Sequence, residues 1–490
     1  MKNIISNIMV VLFILTAITS CKKDFGTLNN DPNTPAVPST KFLFGSAVMG
    51  VRGMHSSTAA ALYVQHMSEF YYTQESRYLI KIYQYDAAYA SPLMDLQTII
   101  RLNTDVATKN NKSVLENGTN ENQLGHARIL KAFMMLHVTD RWGAIPYTEA
   151  LRGGTNNKPV FDTQKFVYND ILKELKEAAL QVTKKQPNDP LFDGAFARWK
   201  TWANSLRAIV AMRMAATEDA AIAKAAFTEA VAAGIMTSND DNVIYKYLSD
   251  ANFQNPYYSN YLSRKDYGVS ATIVNQMLPH NDPRLPVYAS KSVNTGTYTG
   301  VPYGINDGYL TADYSLFGTA IYARNAPLQL TTYAQVCFTM AEAALRGWVT
   351  GGDAVVASWY QKGIEASMDQ WATVGGISIT ATQKTTYRAQ ADIDIPAVNT
   401  LSFDQKLERV QTQKWLNFYM NNSYEAWAEW RRTGYPVLLP APDAANADKQ
   451  IPRRQCYSKT ETDLNNEHYL AAVAAQGPDE LSTRLWWDRR

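Results

Sequence analysis

Tyrosine is unevenly distributed along this chain of 490 residues, and its side chain is suited to ligand binding. Nineteen of the 29 tyrosines fall in two segments, 63–89 and 245–322. A tyrosine ring stacks on the apolar face of a ligand while its hydroxyl forms hydrogen bonds at the edge, and its few rotatable bonds keep the entropic cost of contact low. The two segments therefore predict contacts with a polyhydroxylated or peptide ligand. The alternative is that the rings bury a loop-rich region against the rest of the molecule.

Amide and guanidinium donors accompany these tyrosines. The first segment contains EFYYTQESRY, and the second contains NPYYSNY and GVPYGINDGYL. No residue-level binding motif is present, so the choice of site residues depends on local chemistry. We predict a ligand-binding set made of Tyr71, Tyr72, Gln74, Arg77, Tyr78, Tyr257, Tyr258, Tyr303, Asn306 and Tyr309.

The sequence lacks the common motifs of catalysis and metal binding. It has no His-Glu-x-x-His, no Gly-x-Ser-x-Gly, no Gly-x4-Gly-Lys and no Cys-x-x-Cys. None of the six histidines pairs with another at metal-ligand spacing. We therefore predict no catalytic residue, no metal and no cofactor. A glycan hydrolase remains a less favoured alternative, because its two carboxylates would be distant in the chain.

The first of the three cysteines, Cys21, follows a basic start, an apolar run from Ile8 to Leu15 and several small residues. This run is too short to span a membrane, which takes roughly 18 or more apolar residues, and is typical of a secretory signal peptide. The sequence ITSC at 18–21 resembles a bacterial lipobox, whose cysteine sulfur receives a diacylglycerol. We predict lipidation at Cys21. The alternatives are a buried N-terminal helix and an ordinary cysteine beside a standard cleavage site.

The composition is that of a globular protein, with 46% hydrophobic and 19% charged residues. The formal net charge is +2, so no basic excess indicates nucleic acid. No second long apolar run occurs, which leaves the lipid as the predicted membrane contact. Cys337 lies on an apolar helical stripe, and we predict that it and Cys456 are buried free thiols.

Helical periodicity dominates the rest of the chain. Three strongly periodic segments contain ARILKAFMMLHV, WKTWANSLRAIV and YAQVCFTMAEAAL. Each is followed by a second amphipathic segment, at 163–182, 218–233 and 353–371. Such antiparallel pairs predict a mostly α fold of tetratricopeptide-like units, and Ala223, Phe227 and Ala230 fit their Ala-x3-Phe pattern closely. A plain α-helical bundle is the alternative.

We divide the chain into a signal peptide at 1–20, a lipidated tether at 21–40 and a single α domain at 41–490. The tether is rich in Asn, Asp and Pro, as in NNDPNTPAVP. The domain carries a loop-rich insert at about 245–330, and long loops of this kind are usually functional.

Several motifs, taken in order, resemble the SusD/RagB family of outer-membrane nutrient-binding lipoproteins from Bacteroidetes-type bacteria. The similarity covers nearly the whole mature chain, and each motif alone is weak. They are LNNDPNTP after Cys21, DRWGAIPYTEAL, FARWKTWANSLRAIVAMRM, NDPRLPVY, MAEAALRG, QKWLNFYMNNSYEAWAEWRRTGYP, IPRRQCYSKTETDLN and LWWD.

The resemblance implies four tetratricopeptide-like helix pairs packed against a loop-rich, ligand-binding half. It also implies a TonB-dependent outer-membrane barrel of about 22 strands as the partner, with an oligosaccharide or peptide as the ligand, and a lipid-anchored position facing the cell surface. Only Asp24 replaces the acidic cluster that often follows the cysteine in exported members. A lipid-anchored tetratricopeptide scaffold that binds only proteins is the alternative, and the tyrosine-rich insert argues against it.

The tryptophans within these motifs are predicted to be structural. Trp142, Trp202, Trp415 and Trp430 stand in helical or helix-ending contexts, so we interpret them as core. The pair Trp486-Trp487 is predicted to dock the C-terminal end rather than to form a sugar platform.

Overall fold

The computed structural model describes residues 37–55, 58–398 and 400–489. Within these ranges the chain is mostly α-helical, with three two-stranded antiparallel sheets. The predicted fold class is therefore confirmed. The predicted signal peptide, Cys21 and the tether up to residue 36 lie outside the described residues, so the predictions about them stay predictions.

The described chain contains sixteen α-helices of six or more residues. They are α1 Thr40–His55, α2 Thr58–Tyr63, α3 Met94–Thr104, α4 Asn120–Trp142, α5 Gln164–Gln181, α6 Phe196–Arg213, α7 Ala220–Ala232, α8 Pro256–Ser263, α9 Ala271–Met277, α10 Tyr333–Leu345, α11 Gly352–Gly375, α12 Ala381–Arg388, α13 Phe403–Asn417, α14 Ser423–Thr433, α15 Lys459–Leu464 and α16 Asn466–Gln476.

Four helix pairs form the frame. Helix α4 packs on α5, α6 on α7, α10 on α11, and α13 on α14. The pairs also contact one another in series, since α5 packs on α6, α6 on α10, and α10 on α13. The three second helices predicted from periodicity correspond to α5, α7 and α11. The tetratricopeptide-like arrangement is thus confirmed, with α13 and α14 as the fourth pair.

Hydroxyl side chains start several of these helices by accepting hydrogen bonds from otherwise unpaired backbone N–H groups. Ser402 and Gln405 form a reciprocal capping box at the start of α13. Glycines in the left-handed region end others, as Gly434 does with φ 75° after α14. The N-terminal caps of helices α4, α5 and α10 are Thr119, Thr163 and Thr332.

Short strands connect the loops to this frame. They are β1 Met67–Glu69, β2 Ile145–Pro146, β3 Phe161–Asp162, β4 Val243–Tyr245, β5 Tyr267–Val269 and β6 Leu328–Thr331. Strand β4 pairs with β6, so the loop-rich segment leaves the frame and returns to it at adjacent strands. Strand β1 pairs with β5, which joins this segment to the first tyrosine-rich segment at 63–89.

The tryptophans fill the interior, as predicted. Trp142, Trp202 and Trp415 are buried, and each indole N–H donates a hydrogen bond, to Cys456 O at 2.9 Å, Thr331 Oγ1 at 3.0 Å and Val64 O at 2.9 Å respectively. Each polar edge is thereby satisfied inside the protein.

Trp430 differs from that prediction, because it is only partly buried at the edge of the core. The Arg453 guanidinium lies 5.0 Å from its ring centroid. The C-terminal pair docks as predicted: Trp487 is buried, and the Trp486 backbone N–H donates to Gln164 Oε1 at 2.9 Å.

A buried ionic network ties the helix pairs together. Arg213 of α6 contacts Asp140 of α4 and donates to Glu425 Oε2 of α14 at 2.7 Å. Four cationic and four anionic side chains take part, so the network is balanced in charge and its desolvation is compensated by pairing. Its members are Asp140, Arg213, Glu342, Arg346, Lys414, Glu425, Glu429 and Arg432.

Cys337 and Cys456 are buried free thiols, as predicted. Burial raises the pKa of both thiols to about 12, which keeps them protonated and unreactive at neutral pH. Across the part of the chain that the structure describes, no helix is long and apolar enough to cross a membrane.

Candidate functional site

The two tyrosine-rich segments meet through the β1–β5 pair. Met67 lies opposite Val269, Ser68 opposite Gly268, and Glu69 opposite Tyr267. Ser68 Oγ also donates to Pro302 O at 2.6 Å. Strand pairing therefore places the loop that follows β1 beside the loop around residue 303, although the two are more than 200 residues apart in sequence.

The loop at 70–79 is organised from within by Glu69. This carboxylate is 5% exposed and accepts from Ser76 N at 2.9 Å and from Ser76 Oγ at 2.5 Å. Burial raises the pKa of Glu69 to about 7, against the opposing effect of the two Ser76 hydrogen bonds. Tyr72 and Tyr78 both adopt left-handed backbone conformations, with φ of 56° and 64°. Such positions are strained for bulky residues and are kept only where the surroundings enforce them.

The outer side of this loop presents two open rings. Tyr71 is 45% exposed and Tyr72 is 64% exposed. The Tyr71 ring lies against Gly308, where an added Cβ would come within 3.1 Å of the ring atoms Cδ1 and Cε1. The Arg264 guanidinium lies 5.0 Å from the Tyr72 ring centroid. Each ring is therefore supported from one direction while remaining open to solvent.

Arg77 fastens the two loops to a third segment. Its Nη1 donates to Asn306 Oδ1 at 2.6 Å, and its Nε donates to Asp443 O at 3.0 Å. Asn306 N in turn donates to Asp443 Oδ2 at 2.7 Å. We call this ring of hydrogen bonds between Arg77, Asn306 and Asp443 the clasp. It fixes the position of the loop that leads to Tyr309.

Tyr309 is a half-exposed residue next to the loop that carries Tyr71 and Tyr72. Its backbone N–H donates to Phe70 O at 3.1 Å, so it sits directly beside the Tyr71 loop. Its ring makes an edge contact with Tyr314 at a centroid distance of 5.4 Å. We define the tyrosine surface as the half-exposed and exposed side chains of Tyr71, Tyr72, Gln74, Asn306 and Tyr309, with Arg77 beneath them.

Two further predicted site residues lie under this surface rather than on it. Tyr78 is fully buried and Tyr303 is 8% exposed. Tyr303 Oη donates to Tyr78 Oη at 3.3 Å, and Ala441 N donates to Tyr78 Oη at 3.1 Å. Burial raises the pKa of Tyr78 to about 12. Because their rings are enclosed, these two residues hold the loops together and offer no face to a ligand.

Tyr257 and Tyr258 belong to a different neighbourhood, on helix α8. Tyr257 is buried and packs against Phe317 at a centroid distance of 6.2 Å. Tyr258 is half-buried under Arg324, whose guanidinium lies 4.7 Å from the ring centroid. Among the described residues, no hydrogen bond or ring contact joins either one to the tyrosine surface, so we leave both out of the candidate site.

Sequence reasoning missed Arg264 and Asp443. Arg264 lies outside the quoted tyrosine motifs and pairs with Asp266 at 2.8 Å. Asp443 lies in the loop after helix α14, where no aromatic residue marks it. Only tertiary contacts bring either one to the site. In the described part of the chain, no group of three His, Cys, Asp or Glu side chains could hold a metal ion.

The structure thus combines a frame of helix pairs with an aromatic surface on its loops. The family model described as SusD-like, starch-binding and associating with the outer membrane matches residues 32–458. The chain therefore belongs to the SusD/RagB family of nutrient-binding, outer-membrane-associated proteins. No curated protein sequence matches the chain.

Solved structures agree with this assignment. The chain is similar to a chitin-binding protein, with 26% identity and a TM-score of 0.76 over 92% of this chain and 100% of that one. It is also similar to a SusD homologue from Bacteroides fragilis, with 25% identity and a TM-score of 0.78 over the same shares. A SusD homologue from Bacteroides uniformis shows 26% identity and a TM-score of 0.72, over 91% of this chain and 99% of that one.

Proposed function

We propose that this protein is a lipid-anchored, cell-surface lipoprotein that binds a nutrient oligosaccharide at the tyrosine surface and delivers it to a TonB-dependent outer-membrane transporter. The observation that carries the ligand site is the exposure of Tyr71 and Tyr72, 45% and 64%, on a loop whose backbone is otherwise tightly held. Rigid, open aromatic rings on a fixed frame are typical of binding loops.

The cationic side chains around the surface are already engaged, which favours a neutral glycan over an acidic peptide. Arg77 is engaged through Nη1 and Nε in the clasp, and Arg264 is paired with Asp266. The polar groups left beside the rings are the amides of Gln74 and Asn306 and the exposed carboxylate of Asp307, which accepts from Gly308 N at 2.8 Å and can also accept from ligand hydroxyls. Stacking on tyrosine combined with amide hydrogen bonds suits the C–H faces and hydroxyl edges of a sugar. The starch-binding description of the family and the chitin-binding relative support the same ligand class.

Binding calorimetry on a defined panel tests the ligand assignment. We expect chitohexaose or maltohexaose to bind the wild-type protein and a neutral hexapeptide not to bind. Tyr72→Ala should lower the affinity for the glycan roughly 5- to 150-fold, which corresponds to the loss of about 1–3 kcal/mol of binding free energy.

Phe42→Ala is the matched control, because Phe42 is an aromatic residue that is 72% exposed on helix α1, and α1 packs on helices α3 and α4. It should leave the affinity unchanged. Binding of the peptide in place of the glycans, or equal losses in the two variants, would contradict the proposal.

A further inference from the structure

A cleft lies at the first helix pair, and none of the residues that line this cleft belongs to the tyrosine surface. It has a volume of about 650 Å³. Helix α4 forms its floor through a stripe that includes Leu124, Arg128 and Lys131, which share one face at helical spacing. Helices α3 and α5 form its walls, and the loop 147–152 lines it at one end. Its volume falls in the range of about 300–1,000 Å³ that small-ligand sites occupy.

Part of the charge in this cleft is already neutralised. Arg128 donates to Glu174 through Nε at 2.8 Å and through Nη2 at 2.7 Å, and it contacts Glu177 at 2.6 Å. Its Nη1 donates to Gln181 Oε1 at 3.0 Å. These bonds fix α5 against α4, so the walls are rigid. Arg128 and Glu174 are therefore structural parts of the cleft.

The remaining polar groups of the lining are mainly donors. Lys131 carries three N–H groups, and its one hydrogen bond within the described residues goes to Gln97 Oε1 at 2.7 Å. Burial lowers the pKa of Lys131, which reflects its poor access to water. Arg152 makes one hydrogen bond there, to Thr148 O at 3.2 Å. On the acceptor side, Asp170 Oδ2 takes the Tyr147 hydroxyl at 2.8 Å, and Asp170 and Glu174 are the two carboxylates of the lining, against the three cations Arg128, Lys131 and Arg152.

This surplus of donors selects a ligand rich in acceptors. We propose that the cleft is a second ligand site, which takes a saccharide carrying a carboxylate, such as a uronic acid unit. The carboxylate binds the Lys131 ammonium, Arg152 supplies a second cationic donor, and the sugar hydroxyls meet the amides of Gln97 and Gln181. Leu124 and Ile100 offer an apolar floor to the sugar ring.

Calorimetry with digalacturonate and with its neutral counterpart galactobiose tests this site. Wild-type protein should prefer digalacturonate by about tenfold or more, the order expected for one hydrogen bond to a charged group. Lys131→Met should remove the preference, and Arg152→Gln should reduce it by about fivefold. Lys224→Met removes the same charge from the exposed surface of α7 and should change nothing.

Arg152 is exposed, so Arg152→Gln keeps the test decisive if Lys131→Met fails to fold. Equal affinity for the two disaccharides would overturn the proposal, as would an unchanged preference in both cleft variants. Tyr72→Ala separates the two sites: it should leave digalacturonate binding intact, and a loss there would assign the uronate to the tyrosine surface instead.

Discussion

Arg432 of helix α14 and Glu342 of helix α10 form a bidentate pair inside the protein. Nη1 lies 2.6 Å from Oε1 and Nη2 lies 2.6 Å from Oε2, with the two side chains 1% and 0% exposed. Gln411 Nε2 donates to the same carboxylate at 2.8 Å. The third and fourth helix pairs are thereby locked at one point, and this lock belongs to the balanced network that also includes Arg213 and Asp140.

Glu342→Gln should destabilise the protein by about 3 to 5 kcal/mol at neutral pH, because it leaves Arg432 buried and only partly compensated. Burial alone would raise the pKa of Glu342, but Arg432 and Arg346 lower it to about 2. Its stabilising effect is therefore complete above the unfolded value of 4.5 and is lost as pH falls towards 2. Urea unfolding from pH 7 to pH 3 should show the variant and the wild type converging.

The control for this prediction is Glu365→Gln. It removes a surface ion pair between Glu365, whose side chain is 42% exposed, and Arg388. It should cost less than about 1 kcal/mol at every pH. A Glu342 variant as mild as this control would show that the network contributes little to stability.

Glu69 has the opposite sign of pH dependence. Its folded-state pKa of about 7 exceeds the unfolded value of 4.5, so the folded protein binds more protons between these values and becomes less stable as pH rises through that window. Glu69→Gln should remove this decline and should exceed the wild type in stability by about 1 to 3 kcal/mol at pH 8. Unfolding free energies at pH 5, 6.5 and 8 measure it. Glu467→Gln, at an exposed position on α16, should leave the decline unchanged.

Tyr72 and Tyr78 should respond to alanine in opposite ways. Tyr78→Ala removes a fully buried ring and should cost about 3 to 5 kcal/mol of stability. Tyr72→Ala should cost less than about 1 kcal/mol, because the ring is 64% exposed, while it weakens glycan binding. Denaturant unfolding and calorimetry on both variants separate the roles. Similar losses of stability in the two would place Tyr72 in the core.

Arg77→Ala opens the clasp. Two hydrogen bonds, to Asn306 and to Asp443, are lost together. We expect faster hydrogen exchange in peptides that cover 303–309 and 441–445, and a glycan affinity reduced by about fivefold, because the Tyr309 loop is less ordered before binding. Arg101→Ala, at an exposed position on α3, is the control. If exchange in these peptides is unchanged, the clasp does not order the site.

Cys21→Ala should move the protein from the detergent-extracted membrane fraction to the soluble fraction. A cysteine that carries two or more acyl chains holds a protein stably at a membrane, whereas the Cys21 variant has no predicted anchor.

In mild detergent, the wild-type protein should co-purify with a much larger outer-membrane barrel. Equal membrane retention of the variant would exclude the lipid at Cys21, and repeated recovery of a clean monomer would count against the barrel partner.

The frame of this protein is largely readable from local sequence, and the site is not. Helices α4 to α7, α10 and α11 each show hydrophobic periodicity within a short stretch of sequence, and Thr or Gly residues mark several of their ends. These helices can therefore be predicted from local sequence. Tyr72 and Tyr78 stand in the same tyrosine-rich stretch with similar backbone angles, yet one is open and the other enclosed. Their difference depends on Tyr303 and Ala441, which are distant in sequence.

The buried ionic network likewise could not be predicted from local sequence. Asp140, Arg213, Glu342 and Glu429 lie in the motifs that carry the family resemblance, but each reads locally as an ordinary helical charge. Their shared burial appears only when all four helix pairs are assembled. Charge pairing across helices leaves no periodic signal, so sequence patterns alone could not distinguish these residues from solvated ones.

The antiparallel pairing of Val243–Tyr245 with Leu328–Thr331 has a consequence for how such proteins diversify. The intervening segment departs and returns at neighbouring strands, but inside it Arg284 and Tyr288 donate hydrogen bonds to Gln413 Oε1 and Leu416 O of helix α13. A segment that is exchanged or lengthened must therefore keep these two contacts to fit the helices. The β1–β5 pair makes the stretch from Met67 to about residue 80 a necessary companion in any such exchange. A chimera that transplants both pieces should acquire the donor's ligand preference, whereas one that carries the segment alone should fold and bind nothing.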